Sequence, residues 1–180
     1  MSWHNFYADR VGEGYTKYSA TRYAPFIETV GHFVGHQGTY LEEGCGIATI
    51  SKILARKNST ASLWCSDISP EMIGLARLNT IGIPNIQFLQ ASILDRIPGC
   101  SVDVCFSHGV HEHFCDSDIK MIVRLQKEKA KVVVHYVPTD GYGERSYGDE
   151  RLLSVAKWTE LVNPECIRTF NDGKDLILIT

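Results

Sequence analysis

The sequence lacks the usual marks of a secreted, membrane-spanning or nucleic-acid-coating protein. Its six cysteines never fall as Cys-x-x-Cys, and several sit inside apolar runs, so they read as reduced structural residues rather than a disulfide or zinc framework. No apolar run reaches the roughly 18 residues needed to cross a bilayer, and residues 1–10 lack the apolar core of a leader. The expectation is a soluble, cytoplasmic protein with no membrane partner. Basic residues are not in excess: 18 Lys and Arg face 21 Asp and Glu, a net charge of -3, which gives no general attraction for a phosphate backbone. There is no internal repeat, linker or low-complexity tract.

What remains is an ordinary globular composition, 44% hydrophobic and 22% charged over 180 residues, enough for one domain with its own core. An aromatic lead-in over residues 3–18 precedes a helical pattern over 21–36, where Tyr23, Phe26, Ile27, Val30, Phe33 and Val34 share one face. Strand-like runs then alternate with helical ones. Strands are expected at 39–42, 63–66, 86–89, 102–107 and 131–137, and helices at 47–57, 70–79, 118–127 and 150–161. Ser69 should cap the third helix, with Pro70 at its first position. Alternation of this kind predicts a parallel sheet. The last runs, 167–170 and 176–179, are separated by a short Asn171-Asp172-Gly173 turn and should pair as an antiparallel hairpin.

In an open α/β sheet, ligands bind beyond the carboxyl ends of the strands where strand order reverses, which directs attention to the turn Gly44-Cys45-Gly46 after the first strand. Its glycines let backbone N–H groups approach a ligand with no Cβ in the way. Two carboxylates flank it: Glu42 ends the first strand and Asp67 the second. Asp67 suits a ribose diol, each hydrogen bond to a charged acceptor contributing about 1.5–3 kcal/mol. Glu42 would repel the pyrophosphate of a dinucleotide but suits the ammonium of S-adenosylmethionine. The dinucleotide pattern also fails at its third glycine, which falls on Thr49. S-adenosylmethionine is therefore the expected cofactor, with an NAD-dependent oxidoreductase as the lesser alternative.

These motifs resemble those of class I S-adenosylmethionine-dependent methyltransferases, in particular the UbiE-like small-molecule group. The segment LEEGCGIATI, residues 41–50, resembles the family's first motif, with Glu43 where an apolar residue is usual and Ala48 where a third glycine is usual. CSDISPEMIGLAR resembles the second motif, which implies Asp67 on the ribose and Ile68 and Met72 near the adenine. QASILD implies Ser92, with Ile93 beside it, at the adenine amine. SVDVCFSHGVHEHF resembles the fourth motif and implies Ser107 and His108 beside the methionine part. The implied fold is a Rossmann-like, doubly wound, mostly parallel seven-stranded sheet with an antiparallel C-terminal hairpin and helices on both faces. One methyltransferase domain would then fill residues 1–180, with 1–36 as an aromatic, helical lid and 37–180 as the core.

Glu43 is open to two readings, a polar contact at the substrate end or a residue at a strand edge. His108 is the candidate general base, because an imidazole just past the fourth strand has a pKa suited to neutral pH; a role through its backbone alone is the competing reading. A metal at His108, His111, Glu112 and His113 is disfavoured, because His111 and His113, two apart, point to different sides of either a strand or a helix. The acceptor pocket is expected from the N-terminal aromatics, with Tyr7, Tyr15 and Tyr18 either folded over the cofactor or packed as a helix stripe on the sheet, and from His111, Tyr142, Arg145 and Tyr147, with Tyr136 nearby. A small-molecule acceptor fits best. The Pro-Pro-aromatic and Pro-Cys sequences used on DNA bases are absent, and a binding module that has lost transfer is the alternative from another class.

Overall fold

The computed structural model describes residues 3–33, 37–96, 101–146 and 148–180. Seven strands form one sheet: β1 (Thr39–Glu43), β2 (Ser62–Asp67), β3 (Ile86–Gln90), β4 (Val102–His108), β5 (Ala130–Pro138), β6 (Cys166–Phe170) and β7 (Asp175–Ile179), in the order β3-β2-β1-β4-β5-β7-β6. The first five pair in parallel, and β7 runs antiparallel to both β5 and β6, as the turn at residues 171–173 predicts. Strand order reverses between β1 and β4, so a crevice opens at their carboxyl ends.

Alternation along the strands distributes the helices to both faces. On one face α3 (Ala24–His32), α4 (Thr49–Lys57) and α5 (Pro70–Asn79) bury Phe26, Ile53 and Ala76 against Tyr40, Phe106 and Tyr136. On the other, α6 (Asp116–Lys129) and α7 (Val155–Val162) bury Ile119 and Trp158 against Val137, Leu176 and Leu178. Two N-terminal helices, α1 (Trp3–Ala8) and α2 (Glu13–Arg22), cover the crevice; α1 packs on α5, and α2 on α4. No helix among the described residues is long and apolar enough to cross a membrane.

The expected helix over 21–36 divides at Tyr23, whose φ of -110° and ψ of 21° end α2. Pro25, in the first turn of α3, has no N–H to continue the preceding helix. Residues 34–36 of that expectation lie outside the described residues. Helix α4 begins at Thr49, because the chain is still turning through Gly46 (φ +53°) and Ala48 (φ +54°). Helix α5 starts as expected, with the Met72 N–H donating to the Ser69 hydroxyl at 3.2 Å. Helix α7 begins at Val155 rather than near 150. Residues just before it are tied elsewhere: Leu153 bridges to Thr139, Arg151 pairs with Asp116 at 2.5 Å, and Ser154 supplies the cap.

Candidate active site

The crevice is a cavity of about 900 Å³ whose floor is the β1–α4 turn and whose side walls come from the ends of β2, β3 and β4. Glu42, Gly44, Cys45, Gly46, Asp67, Ile68, Met72, Ser92, Ile93 and His108 all line it. The turn is built for close approach. Gly44 (φ +69°) would place a Cβ 2.7 Å from Val110 Cγ2, so only glycine fits between β1 and the segment after β4. Asp67 fastens the same turn to β2: Oδ2 accepts from the Gly46 N–H at 2.9 Å and Oδ1 from the Ser69 N–H at 3.0 Å. Burial raises the Asp67 carboxyl above the usual range, and these backbone donors oppose that shift.

Glu42 and Glu43 separate cleanly because successive strand residues face opposite sides. Glu42 points to the α4 face, where Oε2 accepts from the Ser51 hydroxyl at 2.5 Å and the Ser51 N–H at 3.2 Å. Burial nevertheless pushes its carboxyl up to about 8. Glu43 turns to the α6 face and pairs with Lys129 at 2.7 Å, both side chains buried. It is therefore neither a substrate contact nor an edge residue; it ties β1 to the end of α6.

Several expected contacts lie elsewhere. Ser107 is fully buried and lines no part of the cavity, its hydroxyl lying 3.0 Å from His111 Nδ1 and 3.2 Å from His135 Nδ1. His111 is fully buried in the same cluster, because the 3-10 turn at His111–His113 swings its ring back against β5 rather than toward an acceptor. Tyr18 is 53% exposed and stacks on Tyr15 outside the cavity, while Trp3, Tyr7 and Tyr15 form the wall. Arg145 is exposed and lines none of the cavities described; Tyr147 lies outside the described residues. Tyr142 faces a second, adjoining cavity of about 570 Å³ and donates to Asp175 at 2.5 Å.

His108 stands between the two cavities, stacked on Tyr136 at 4.3 Å and met edge-on by Tyr23 at 4.2 Å. Burial in this aromatic box lowers its pKa to about 3, with the Arg22 charge acting in the same direction. The imidazole is thus a neutral hydrogen-bonding group at physiological pH, not the near-neutral base expected from the sequence. The residue that sequence reasoning passed over is Glu112. It lines the second cavity while only 3% exposed, and burial raises its carboxyl to about 8. Its signal was an acid between Val110 and Phe114, visible only as one member of a rejected metal cluster.

A family described as a methyltransferase domain matches residues 41–130, half of the chain and the part that carries the turn, Asp67 and His108. The chain belongs to this family. Its fold is shared with solved structures of low identity. One is a putative O-methyltransferase from Nostoc punctiforme, with TM-score 0.69 and 11% identity, covering 91% of this chain and 59% of that one. Another is the magnesium protoporphyrin IX methyltransferase from Synechocystis with bound S-adenosylhomocysteine, with TM-score 0.66 and 15% identity, covering 92% and 82%. A third is a putative methyltransferase of Haloferax volcanii in complex with the Trm112 activator, with TM-score 0.72 and 16% identity, covering 99% and 96%. The chain thus spans less than two thirds of the Nostoc protein and nearly all of the Haloferax one. No curated protein matches the sequence.

Proposed function

We propose that the protein transfers a methyl group from S-adenosylmethionine to a small-molecule acceptor, releasing S-adenosylhomocysteine. The observation that carries this reading is the pairing of carboxylates around a turn with glycine at 44 and 46, Glu42 on one side and Asp67 on the other, in a cavity of about 900 Å³. That volume is at the upper end for small-ligand sites. Glu42 suits the ammonium of the donor's amino acid, Asp67 its ribose hydroxyls, and Ile68 and Met72 its adenine, with Ser92 and Ile93 at the ring's edge.

The cofactor supplies a methyl on a positively charged sulfur, which leaves as a neutral sulfide. The protein's task is to align the attack and exclude water. Trp3, Tyr7 and Tyr15 close the cavity from α1 and α2 and present aromatic faces suited to a sulfonium, each contributing about 0.5–2 kcal/mol. Residues 1–36 are read as this lid and 37–180 as the core of one catalytic domain. A cytoplasmic setting accords with Cys45 and Cys65, which are buried and unbridged.

Incubation with methyl-labelled S-adenosylmethionine and a metabolite extract tests the reading. Label entering a small molecule is the expected result. Tight cofactor binding with no labelling of any fraction would favour a module that has kept the site and lost transfer.

A further inference from the structure

The two cavities share Trp3, Tyr7, Tyr15, His108, Gly109 and His113 in their walls, so a group seated in the second meets the first across this boundary. Most polar groups around the second cavity are already paired. Arg22 bridges to Asp175 at 2.8 Å, His113 to Asp149 at 2.7 Å, Ser146 donates to Glu150 at 2.6 Å, and the Arg10 guanidinium lies 3.9 Å above the Phe6 ring. Two atoms are not. His108 Nε2 and Glu112 Oε2 are buried with no hydrogen-bond partner, each such group costing about 1–3 kcal/mol.

Both are acceptors. In the neutral ring with its hydrogen on Nδ1, His108 Nε2 keeps a lone pair and no donor fills it. Glu112, once ionised, offers only lone pairs. An ammonium brings three N–H donors to such a pair, a hydroxyl brings one and a carboxylate none. An anion would also meet Glu112, whose carboxyl Glu150 and Asp149 already raise.

We propose that the second cavity holds an amine, its nitrogen between Glu112 and His108 and facing the Trp3, Tyr7 and Tyr15 rings, so that nitrogen is the atom methylated. This rests on the methyl-transfer reading above. An ammonium is no nucleophile until it loses a proton, and Glu112 is the group placed to take it. Its carboxyl, raised to about 8 by burial with Glu150 and Asp149 adding to the shift, holds that proton near neutral pH. An amine that enters as R–NH3+ against the ionised form of Glu112 becomes R–NH2 beside the carboxylic acid, and one that enters as R–NH2 meets Glu112 already protonated, so the attacking species is the same. The nitrogen lone pair then forms the new C–N bond as the carbon–sulfur bond breaks, that pair remaining on sulfur, and the product is a methylated ammonium. His108, neutral throughout, orients the nitrogen by accepting a second N–H.

The test is calorimetry on protein saturated with S-adenosylhomocysteine, using three probes of one skeleton: 2-phenylethylamine, 2-phenylethanol and 3-phenylpropionate. The amine should bind at least about tenfold more tightly than either neutral or anionic probe. Glu112→Gln should remove that preference while leaving the affinity for S-adenosylhomocysteine unchanged, which also reports that the variant is folded. Equal binding of the three, binding of none, or a Gln variant that retains the preference overturns the proposal. Should the Gln variant not fold, the wild-type ranking decides alone. Failure of S-adenosylhomocysteine to bind the wild type would remove the methyl-transfer reading and this one together; its binding without amine preference removes only this one.

Discussion

The Asp67 carboxylate accepts the Gly46 N–H at 2.9 Å, fastening the end of β2 to the turn that follows β1. The side chain proposed to hold the ribose therefore also fixes the shape of the turn. Asp67→Ala should weaken S-adenosylhomocysteine binding by one to two orders of magnitude, roughly 1.5–3 kcal/mol, as read by calorimetry. Unchanged affinity would mean that the ribose lies elsewhere.

Gly44 and Gly46 should respond differently to alanine, although the sequence presents them as equivalent. Both have positive φ, but a Cβ at Gly44 meets Val110 at 2.7 Å, whereas at Gly46 the nearest atom is Met72 Cε at 3.7 Å. Gly46→Ala should cost about 1–2 kcal/mol of stability from backbone strain alone. Gly44→Ala should cost more, and urea unfolding of the two variants measures the difference.

Ala48 occupies left-handed backbone at φ +54° immediately before α4. Ala48→Gly should relieve about 1 kcal/mol of strain and raise the unfolding midpoint, in contrast to most substitutions in a core. A midpoint that falls would show that the Ala48 methyl group contributes more in packing than its conformation costs.

The course of the chain was largely legible in the sequence because short apolar runs such as the valines of β5 alternate with helical patterns, and Ser69-Pro70 and the glycines at 44, 46 and 173 mark where elements begin or turn. Where it was not, tertiary contacts prevailed over local pattern. The acidic helical pattern from 150 gave way to the Arg151–Asp116 pair and the Leu153 bridge, and Pro25 divided an otherwise continuous apolar face. Within the site, the residues flanking the glycine turn were legible because strand ends project into the crevice. The segment after β4 was not: its 3-10 turn buries His111 and brings Glu112 to a cavity, an exchange of neighbours that no residue periodicity encodes.

Glu43 illustrates the same limit, since its partner Lys129 is 86 positions away. Removing one member of this buried pair, by Glu43→Ala or Lys129→Ala, should cost about 3–5 kcal/mol because the other charge is left unpaired. Replacing both together, with Leu and Met, should recover most of that loss. A double-mutant cycle by urea unfolding provides the check.

The ligand-free protein should be most stable near pH 6.5. Glu42 and Glu112, raised from 4.5 to about 8, hold protons in the folded state that the unfolded chain has released, so stability falls as pH rises through that interval. His108 and His111, lowered from 6.5 to about 3 and about 4, act oppositely, and their contribution is complete above 6.5; His135 is lowered as well. Above that point only the carboxyls continue, each costing about 1.4 kcal/mol per pH unit. Thermal melts at pH 6.5 and 8 should show the decline, and Glu42→Gln should reduce it.

The most direct measurement is calorimetric titration of the wild-type protein with S-adenosylhomocysteine and, separately, with NADH. Saturable one-to-one binding of S-adenosylhomocysteine, with no heat from NADH, is the expected result. Silence toward S-adenosylhomocysteine, or saturable binding of NADH in its place, would contradict it.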